Sequence, residues 1–417
     1  MIQRHTCENG LRIVTEKIPS VRSVALGIWV GTGSKYETKQ DNGISHFLEH
    51  MFFKGTTSRS AKEIAETFDE IGGNVNAFTS KEYTCYYARV LDQHAPIALD
   101  VLADMYFHSV FDEEELEKEK NVVIEEISMY EDTPDDLVHD LIARASFADH
   151  PLGSPILGTE EVLRALKRDD LINYIERRYL PTNTVVTVAG NFDDSLIEEI
   201  KRRFSAFQRH AQQMDVAQPV FAANALAQHK ATEQAHLCIS LPGYPVGHEE
   251  IYSLILLNNV LGGSMSSRLF QEIREERGLA YSVYSYHSSY KETGTFTIYT
   301  GTAPEQVGQV FDIVAHVLRD VAENGITDKE LNKGKEQLKG SLMLSLESTN
   351  SRMSRLGKNE LLLGRHLTLD EILAKIDRVS HESVHAVARE LFRSKLALAM
   401  VSPLDGFPAN VKSDILL

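Results

Sequence analysis

The pattern of apolar and polar residues predicts strands and helices over most of the chain. An Asn9-Gly10 turn joins two short alternating stretches and predicts an N-terminal β-hairpin. Ser60 and Glu63 form a capping box that opens a helix, and Gly72-Gly73 ends it. Short apolar or alternating runs predict strands at 24–30, 74–79, 83–90 and 184–189. Longer runs with helical spacing predict helices at 94–106, 112–130 and 169–179.

The second half of the chain repeats this order. APIALDVLADM followed by FDEEELEKEKNVV resembles APEQVGQVFDIVAHVL followed by ITDKELNKGKEQL, which aligns Leu116 with Leu331 at an offset of 215 residues. The repeat predicts an α+β fold of two similar α/β domains, each a largely antiparallel sheet with helices packed on it, related by internal duplication. We expect domains at 1–210 and 229–417, joined by a polar, Gln/Ala-rich linker at 211–228.

Composition narrows the classes of function. The 417 residues are 42% hydrophobic and 25% charged, which is typical of folded domains. A formal net charge of −17 argues against a nucleic-acid partner, because such partners select basic surfaces. The same charge is consistent with a cavity that attracts basic peptides, although an acidic solvated surface is the more common explanation.

Cysteine use and hydropathy bear on the compartment. The three cysteines contain no C-x-x-C pair, so neither a disulfide framework nor a thiolate zinc site is indicated, and a reducing compartment is expected. No run of about 18 apolar residues exists, so no membrane partner is expected. The first residues lack the apolar core of an export signal. These features predict a cytoplasmic location.

The segment His46-Phe47-Leu48-Glu49-His50 carries the strongest chemical signal. Histidines four positions apart project from one face of a helix and can share one Zn²⁺, with Glu49 beside them as a base. This H-x-x-E-H order is the inverzincin signature. An isolated histidine pair, however, more often caps or packs a core helix. The matching segment of the second half, 252–257, contains neither His nor Glu, which confines metal chemistry to the first domain.

A catalytic zinc site needs a third protein ligand, which must come from another element because Glu49 stays free. The helix predicted at 112–130 places Glu119, Val122, Val123, Glu126 and Tyr130 on one side. A face that mixes valine with glutamate indicates that these carboxylates face the protein and require a partner, such as a metal or a ligating histidine. Glu126 is the first candidate ligand, and Glu119 is the candidate partner of a ligating histidine. Glu125, about 100° away around the helix, is the alternative ligand.

HFLEHMFFKGT, the carboxylate pair Glu119 and Glu126, and RGLAYSVYS together resemble the pitrilysin/insulinase family of zinc metallopeptidases, the inverzincins. The resemblance covers nearly the whole chain. Within the family, the chain is most similar to short bacterial members related to the catalytic subunit of the mitochondrial processing peptidase. The family places its third ligand 76 residues after the second histidine, the separation between His50 and Glu126. The resemblance implies one Zn²⁺ per chain on His46, His50 and Glu126, with Glu49 as the catalytic base.

The resemblance also implies how substrate is held. The strand at 74–79 matches the segment that binds an extended peptide, which assigns Asn76, Ala77 and Phe78 to substrate binding. From sequence alone, this run is equally consistent with an internal strand. In the second domain, Arg274 would bind the substrate backbone and Tyr281 would stabilise the oxyanion. Arg277 is an alternative to Arg274, which could instead form a surface ion pair with neighbouring glutamates, and Tyr281 could be an ordinary strand aromatic.

The function implied by the resemblance is a zinc endopeptidase that cleaves peptides or unfolded polypeptides held extended in an enclosed chamber. Larger relatives join four such domains in one chain, so a chain with two domains implies a homodimer. The alternative is a non-catalytic peptide-binding or scaffold subunit. The sequence lacks the long glycine-rich loop of the non-catalytic processing subunit, and its second half contains only the pair Gly262-Gly263, so general peptide degradation competes with presequence processing.

Overall fold

The computed structural model describes residues 2–209 and 216–414. Within them the strands are β1 (Ile2–Thr6), β2 (Arg12–Lys17), β3 (Ser23–Val30), β4 (Asn74–Thr79), β5 (Thr84–Leu91), β6 (Thr184–Gly190), β7 (Ala225–His229), β8 (Ala235–Gly243), β9 (Ala280–Ser289), β10 (Gly294–Thr302) and β11 (Ala397–Ser402). The helices are α1 (Ile44–Met51), α2 (Ala61–Glu70), α3 (Ala95–His108), α4 (Glu113–Glu131), α5 (Pro134–Phe147), α6 (Glu160–Ala165), α7 (Arg168–Arg178), α8 (Asp194–Phe204), α9 (Ile251–Leu261), α10 (Val307–Asn324), α11 (Asp328–Ser345), α12 (Thr349–Leu362), α13 (Leu369–Arg378) and α14 (His381–Leu391).

The first compact unit is built on a six-stranded sheet of order β1-β2-β6-β3-β5-β4. All neighbours pair antiparallel except β2 and β6. The predicted N-terminal hairpin is confirmed: Thr6 pairs with Arg12, and Gly10 adopts a φ of 87°, which glycine tolerates without strain. The predicted Ser60–Glu63 capping box at the start of α2 is also present. One face of this sheet packs against α1 and α3 to form the main core.

The second unit is built on a five-stranded sheet of order β7-β11-β8-β10-β9. Its pairings repeat those of the first sheet: β7 and β11 run parallel, and the other neighbours run antiparallel. Each strand from β7 to β11 thus has a counterpart in the first sheet, in the same order. The predicted α+β fold of two similar domains is confirmed.

The two units exchange an equivalent helix. Helix α12 comes from the second half of the chain but packs on β2, β3 and β6 of the first sheet, where Met353 and Leu356 contact the cluster around the buried Trp29. Helix α5 comes from the first half but packs on β8 and β11, through Val138 and Ile142. The two helices are 215 residues apart, the offset of the repeat. Each sheet therefore has helices on both faces.

Because of this exchange, neither unit is continuous in sequence, whereas the sequence analysis predicts two continuous domains. The described residues of the first unit are 2–127, 155–209, 216 and 344–366, and those of the second are 128–154, 217–343 and 367–414. An amphipathic pattern shows that a helix has an apolar face but not which sheet covers it. The expected linker 211–228 also ends differently, because Ala225–His229 forms β7, an exposed strand without apolar alternation. Residues 211–215 of that linker lie outside the described residues.

No helix in the described part of the chain combines the length and the apolar character that crossing a membrane requires.

Candidate metal centre

Helix α1 carries the paired histidines, and a buried acid holds its first turn. The helix follows Gly43, which has a φ of 97° and no side chain with which to cap the helix. The backbone N–H groups of Gly43 and Ser45 instead donate to the carboxylate of Glu37 at 2.7 and 2.9 Å. Burial raises the pKa of Glu37, and these hydrogen bonds oppose the rise. A buried hydrogen-bond acceptor at the N-terminus therefore fixes the start of α1.

The metal-binding atoms of three predicted residues converge. Nε2 of His46 lies 3.8 Å from Oε2 of Glu126, and Nε2 of His50 lies 3.6 Å from the same oxygen. One donor atom from each side chain lies within 4.8 Å of the other two, and no other such His/Cys/Asp/Glu group occurs among the described residues. The alternative, Glu125, is exposed and lies outside this group. The structure therefore brings Glu126, and not Glu125, to the histidines.

This group fits a zinc ion. Zinc binds His nitrogen and carboxylate oxygen at about 2.0–2.2 Å, so neighbouring ligands of a tetrahedral site lie roughly 3.3 Å apart. The observed 3.6 and 3.8 Å separations exceed this by only a few tenths of an ångström. Burial, together with the nearby His50, lowers the pKa of His46 to about 3, so its ring is neutral and can bind metal. Three protein donors leave a fourth position open, which is typical of catalytic zinc sites.

Glu119 holds the ring of His50. Its Oε1 lies 2.8 Å from Nδ1 of His50, and its other oxygen pairs with Lys54. Burial alone would lower the pKa of His50, but the hydrogen bond and the charge of Glu119 raise it overall. Burial alone would likewise raise the pKa of Glu119, but His50 and Lys54 lower it. A carboxylate on the far nitrogen fixes the ring orientation and directs Nε2 towards Glu126.

Glu49 lies outside the three-residue donor group, although it belongs to the same helix. Its Oε2 accepts a hydrogen bond from Oγ1 of Thr79 at 2.6 Å. Burial raises the pKa of Glu49, and the hydrogen bond from Thr79 opposes the rise. A carboxylate beside the donor atoms but not among them is available to move a proton.

Strand β4 forms an edge of the first sheet, since within the described residues it pairs with β5 alone. The structure therefore places Asn76, Ala77 and Phe78 on an edge strand and not on an internal one. The backbone N–H of Ala77 donates to Oδ1 of Asn76 at 2.8 Å, so a neighbouring side chain occupies this amide. The ring of Phe78 packs edge-on against Trp29 at 5.6 Å, which gives that side chain a packing role.

Arg274 and Tyr281 lie together in the second unit. The guanidinium of Arg274 is 5.0 Å from the ring centre of Tyr281 and 4.7 Å from that of Phe270, within the range of cation–π attraction. Tyr281 is 78% exposed at the start of the edge strand β9. The alternative, Arg277, pairs with Glu272, whereas Arg274 only approaches Glu275 at 3.7 Å. The structure thus pairs Arg274, and not Arg277, with the predicted tyrosine.

Sequence reasoning missed three residues that support the site, namely Glu37, Lys54 and Thr79. Their contacts cross between elements, so no periodic spacing identifies them. The sequence offered one partial signal, because Thr79 ends the strand already assigned to substrate.

Val122 was expected on the inward face of α4 but is 51% exposed.

Comparisons with known proteins identify the family of the chain. The family model "Insulinase (Peptidase family M16)" matches residues 12–160, and "Peptidase M16 inactive domain" matches residues 165–338. The chain is 59% identical to the uncharacterized zinc protease YmxG of Bacillus subtilis, over 98% of this chain and 100% of that protein. It is 44% identical to an uncharacterized zinc protease of Streptomyces coelicolor, over 97% of this chain and 90% of that protein.

Solved structures show the same fold. A peptidase M16 inactive domain from Pseudomonas fluorescens superposes with a TM-score of 0.90 at 21% identity, covering 98% of this chain and 99% of that one. A protease from Helicobacter pylori gives the same score and identity, covering 97% and 99%. With the two family models and the relatives named zinc proteases, these matches establish that the chain belongs to the insulinase family of zinc peptidases, peptidase family M16.

Proposed function

We propose that this chain is a zinc-dependent endopeptidase that hydrolyses peptides or unfolded polypeptides held in an extended conformation. The observation that carries the proposal is the convergence of His46, His50 and Glu126, with Glu49 beside them. Membership of a zinc peptidase family supports it. A zinc ion, one per chain, supplies Lewis-acid polarisation of the scissile carbonyl and makes water more acidic.

The chain's own residues hold the metal and move the proton. The neutral ring of His46, the ring of His50 after loss of its proton, and the carboxylate of Glu126 would be the ligands. Glu49 accepts a proton from the attacking water and delivers it to the leaving amine, and its partly buried position supports this role because burial raises its pKa towards neutrality. Glu119 keeps the Nε2 of His50 directed at the ligand cluster.

Substrate binds by strand addition to the free edge of β4. The segment Asn76, Ala77 and Phe78 would hold the peptide extended through main-chain hydrogen bonds from the alternate residues that face the free edge, such as Ala77, with little selection for the side chains of the peptide. The edge position of β4 and the contact of Thr79 with Glu49 support this placement. The carboxamide of Asn76 must leave the amide of Ala77 when substrate pairs there.

Tyr281 and Arg274 complete the site from the second domain. The exposed Tyr281 hydroxyl stabilises the oxyanion, and Arg274 binds the substrate backbone. By analogy with larger family members that join four such domains, we propose that Tyr281 acts on the zinc site of a second copy in a homodimer. The two copies enclose an acidic chamber in the bacterial cytoplasm. The net charge of −17 supports a preference for basic peptides.

The complete set of His46, Glu49, His50 and Glu126 argues against the alternative of a non-catalytic binding subunit. A subunit that only binds peptide has no need for three converging metal donors and a separate base. The family model named as inactive matches residues 165–338, which include none of these four residues.

Removal of zinc should abolish hydrolysis. We expect the full chain to cleave a basic peptide that carries a fluorophore and a quencher, to lose this activity in a chelator, and to regain it when about one equivalent of zinc per chain is added. Fluorescence rates, with zinc content measured in parallel, test this. Hydrolysis that survives complete zinc removal would contradict the proposal.

Two inactive variants should restore each other if the site is shared between copies. Glu49→Gln lacks the base and Tyr281→Phe lacks the oxyanion donor, so each alone should be nearly inactive. In mixed dimers, the zinc site of the Tyr281→Phe chain meets the intact tyrosine of the other chain. Co-expression in equal amounts should recover about a quarter of the wild-type rate, since half of the dimers are mixed and each has one complete site. No recovery of activity in purified mixed dimers would indicate that Glu49 and Tyr281 of the same chain act together, and would contradict the shared site.

A further inference from the structure

We infer that Thr79 is a positioning residue for the catalytic carboxylate: its hydroxyl holds Glu49 in the orientation required for proton transfer. The inference rests on the proposed function and adds a residue to its machinery. It comes from the contact between the last residue of β4 and α1, and from the way the following turn is anchored.

The hydroxyl of Thr79 has one short acceptor. Its Oγ1 lies 2.6 Å from Oε2 of Glu49, whereas the backbone oxygen of Ser45 is 3.5 Å away. Hydrogen bonds between hydroxyl groups and charged oxygens have lengths near 2.6 Å, and a 3.5 Å contact is at the limit of the interaction. The hydroxyl therefore belongs mainly to Glu49.

Thr79 itself cannot move easily. It pairs with Thr84 across a tight turn in which the N–H of Ser80 donates to the carbonyl of Tyr83 at 2.9 Å. The turn is tied down by a nearly fully buried ion pair between Lys35 and Glu82 at 2.7 Å. Breaking a buried pair is strongly unfavourable, so this pair fixes the end of β4.

A fixed donor matters because glutamate has several rotatable bonds. Without a partner the carboxylate of Glu49 would sample several rotamers, and only some of them would direct an oxygen to the attacking water. Thr79 is β-branched and has a restricted χ1, so its hydroxyl direction is set by the strand. A hydrogen bond to a charged group has the strength to change a rate by roughly 10- to 100-fold.

The test compares Thr79→Val, which keeps the shape but removes the hydroxyl, with Thr79→Ser, which keeps the hydroxyl. Thr84→Val is the matched control, because the Thr84 hydroxyl donates to the carbonyl of Thr32 at 3.0 Å in the same hairpin. All are made in the full chain and loaded with zinc. For each we measure kcat and KM on the quenched basic peptide, zinc per chain, the melting temperature, and binding of a labelled peptide to the zinc-free protein by anisotropy.

We expect kcat of Thr79→Val to fall roughly 10- to 100-fold, with KM, peptide affinity and zinc content within about twofold of wild type. Thr79→Ser should stay within about threefold of wild type in kcat. Thr84→Val should lower the melting temperature without this loss of kcat. If Thr79→Val does not fold, Thr79→Ala takes its place as the hydroxyl-free variant. The kcat of Thr79→Ser is then compared with that of Thr79→Ala.

Two results would overturn the inference: a kcat of the hydroxyl-free variant within about twofold of wild type, or a serine variant as slow as the valine variant. A loss confined to zinc content or melting temperature would assign Thr79 a structural role and would also overturn it. A wild-type protein that binds no zinc and cleaves no peptide would instead reject the proposed function, so the two failures are distinguishable.

Discussion

Replacing Glu49 with glutamine should remove peptide hydrolysis while the protein keeps its zinc. The substitution preserves size and hydrogen bonding but removes the proton acceptor, so we expect kcat to fall by about 100-fold or more. Glu49 is not one of the three converging donors, so metal affinity should change little. Rates on the quenched peptide and zinc content, measured on the same samples, test both statements.

Glu49→Asp provides a second comparison. Aspartate retains a carboxylate that can accept a proton, but it is shorter by one methylene group and should lose the contact with Thr79. We therefore expect the kcat of Glu49→Asp to be lower than that of wild type. Turnover by Glu49→Gln equal to that of wild type would remove Glu49 from the role of base. Loss of zinc in the same variant would indicate that Glu49 contributes to metal binding.

Glu126→Gln should lose zinc, and with it activity, whereas Glu125→Gln should keep both. Glu126 supplies the oxygen that both histidine Nε2 atoms approach, and Glu125 is exposed on the neighbouring face of the same helix. Loss of a residue that hydrogen-bonds to a metal ligand typically lowers metal affinity roughly 10- to 100-fold. Glu126 is itself the candidate ligand, so we expect the zinc affinity of Glu126→Gln to fall by more than this. Metal content after dialysis against a weak chelator measures the difference.

The Glu125 variant is a matched control because it makes the same chemical change one position away. Both variants should retain the wild-type helix content, since neither side chain is fully buried. If Glu125→Gln lost the metal and Glu126→Gln retained it, the assignment of the third ligand would be reversed.

Much of the candidate site follows from local spacing. A separation of four places His46 and His50 on one helical face, and a separation of seven places Glu119 and Glu126 on one face of α4. In the structure, Glu119 contacts His50, and Glu126 approaches both histidine rings. Helix geometry alone did not separate Glu126 from Glu125, which required either the family spacing or the fold.

The supporting contacts could not be predicted in the same way. Glu37 reaches the start of α1 from a preceding loop, and Thr79 reaches Glu49 from a strand 30 residues further along the chain. These contacts depend on how separate elements pack, which no periodicity encodes. The exchange of α5 and α12 between the sheets was missed for the same reason, since hydrophobic pattern identifies a buried face but not its partner.

The most direct measurement is anomalous diffraction at the zinc absorption edge from crystals grown with zinc. The account predicts one anomalous peak per chain, bounded by Nε2 of His46, Nε2 of His50 and Oε2 of Glu126, with zinc–ligand distances of about 2.0–2.2 Å. Well-diffracting crystals with no peak at that position, or with the zinc bound elsewhere on the chain, would contradict it.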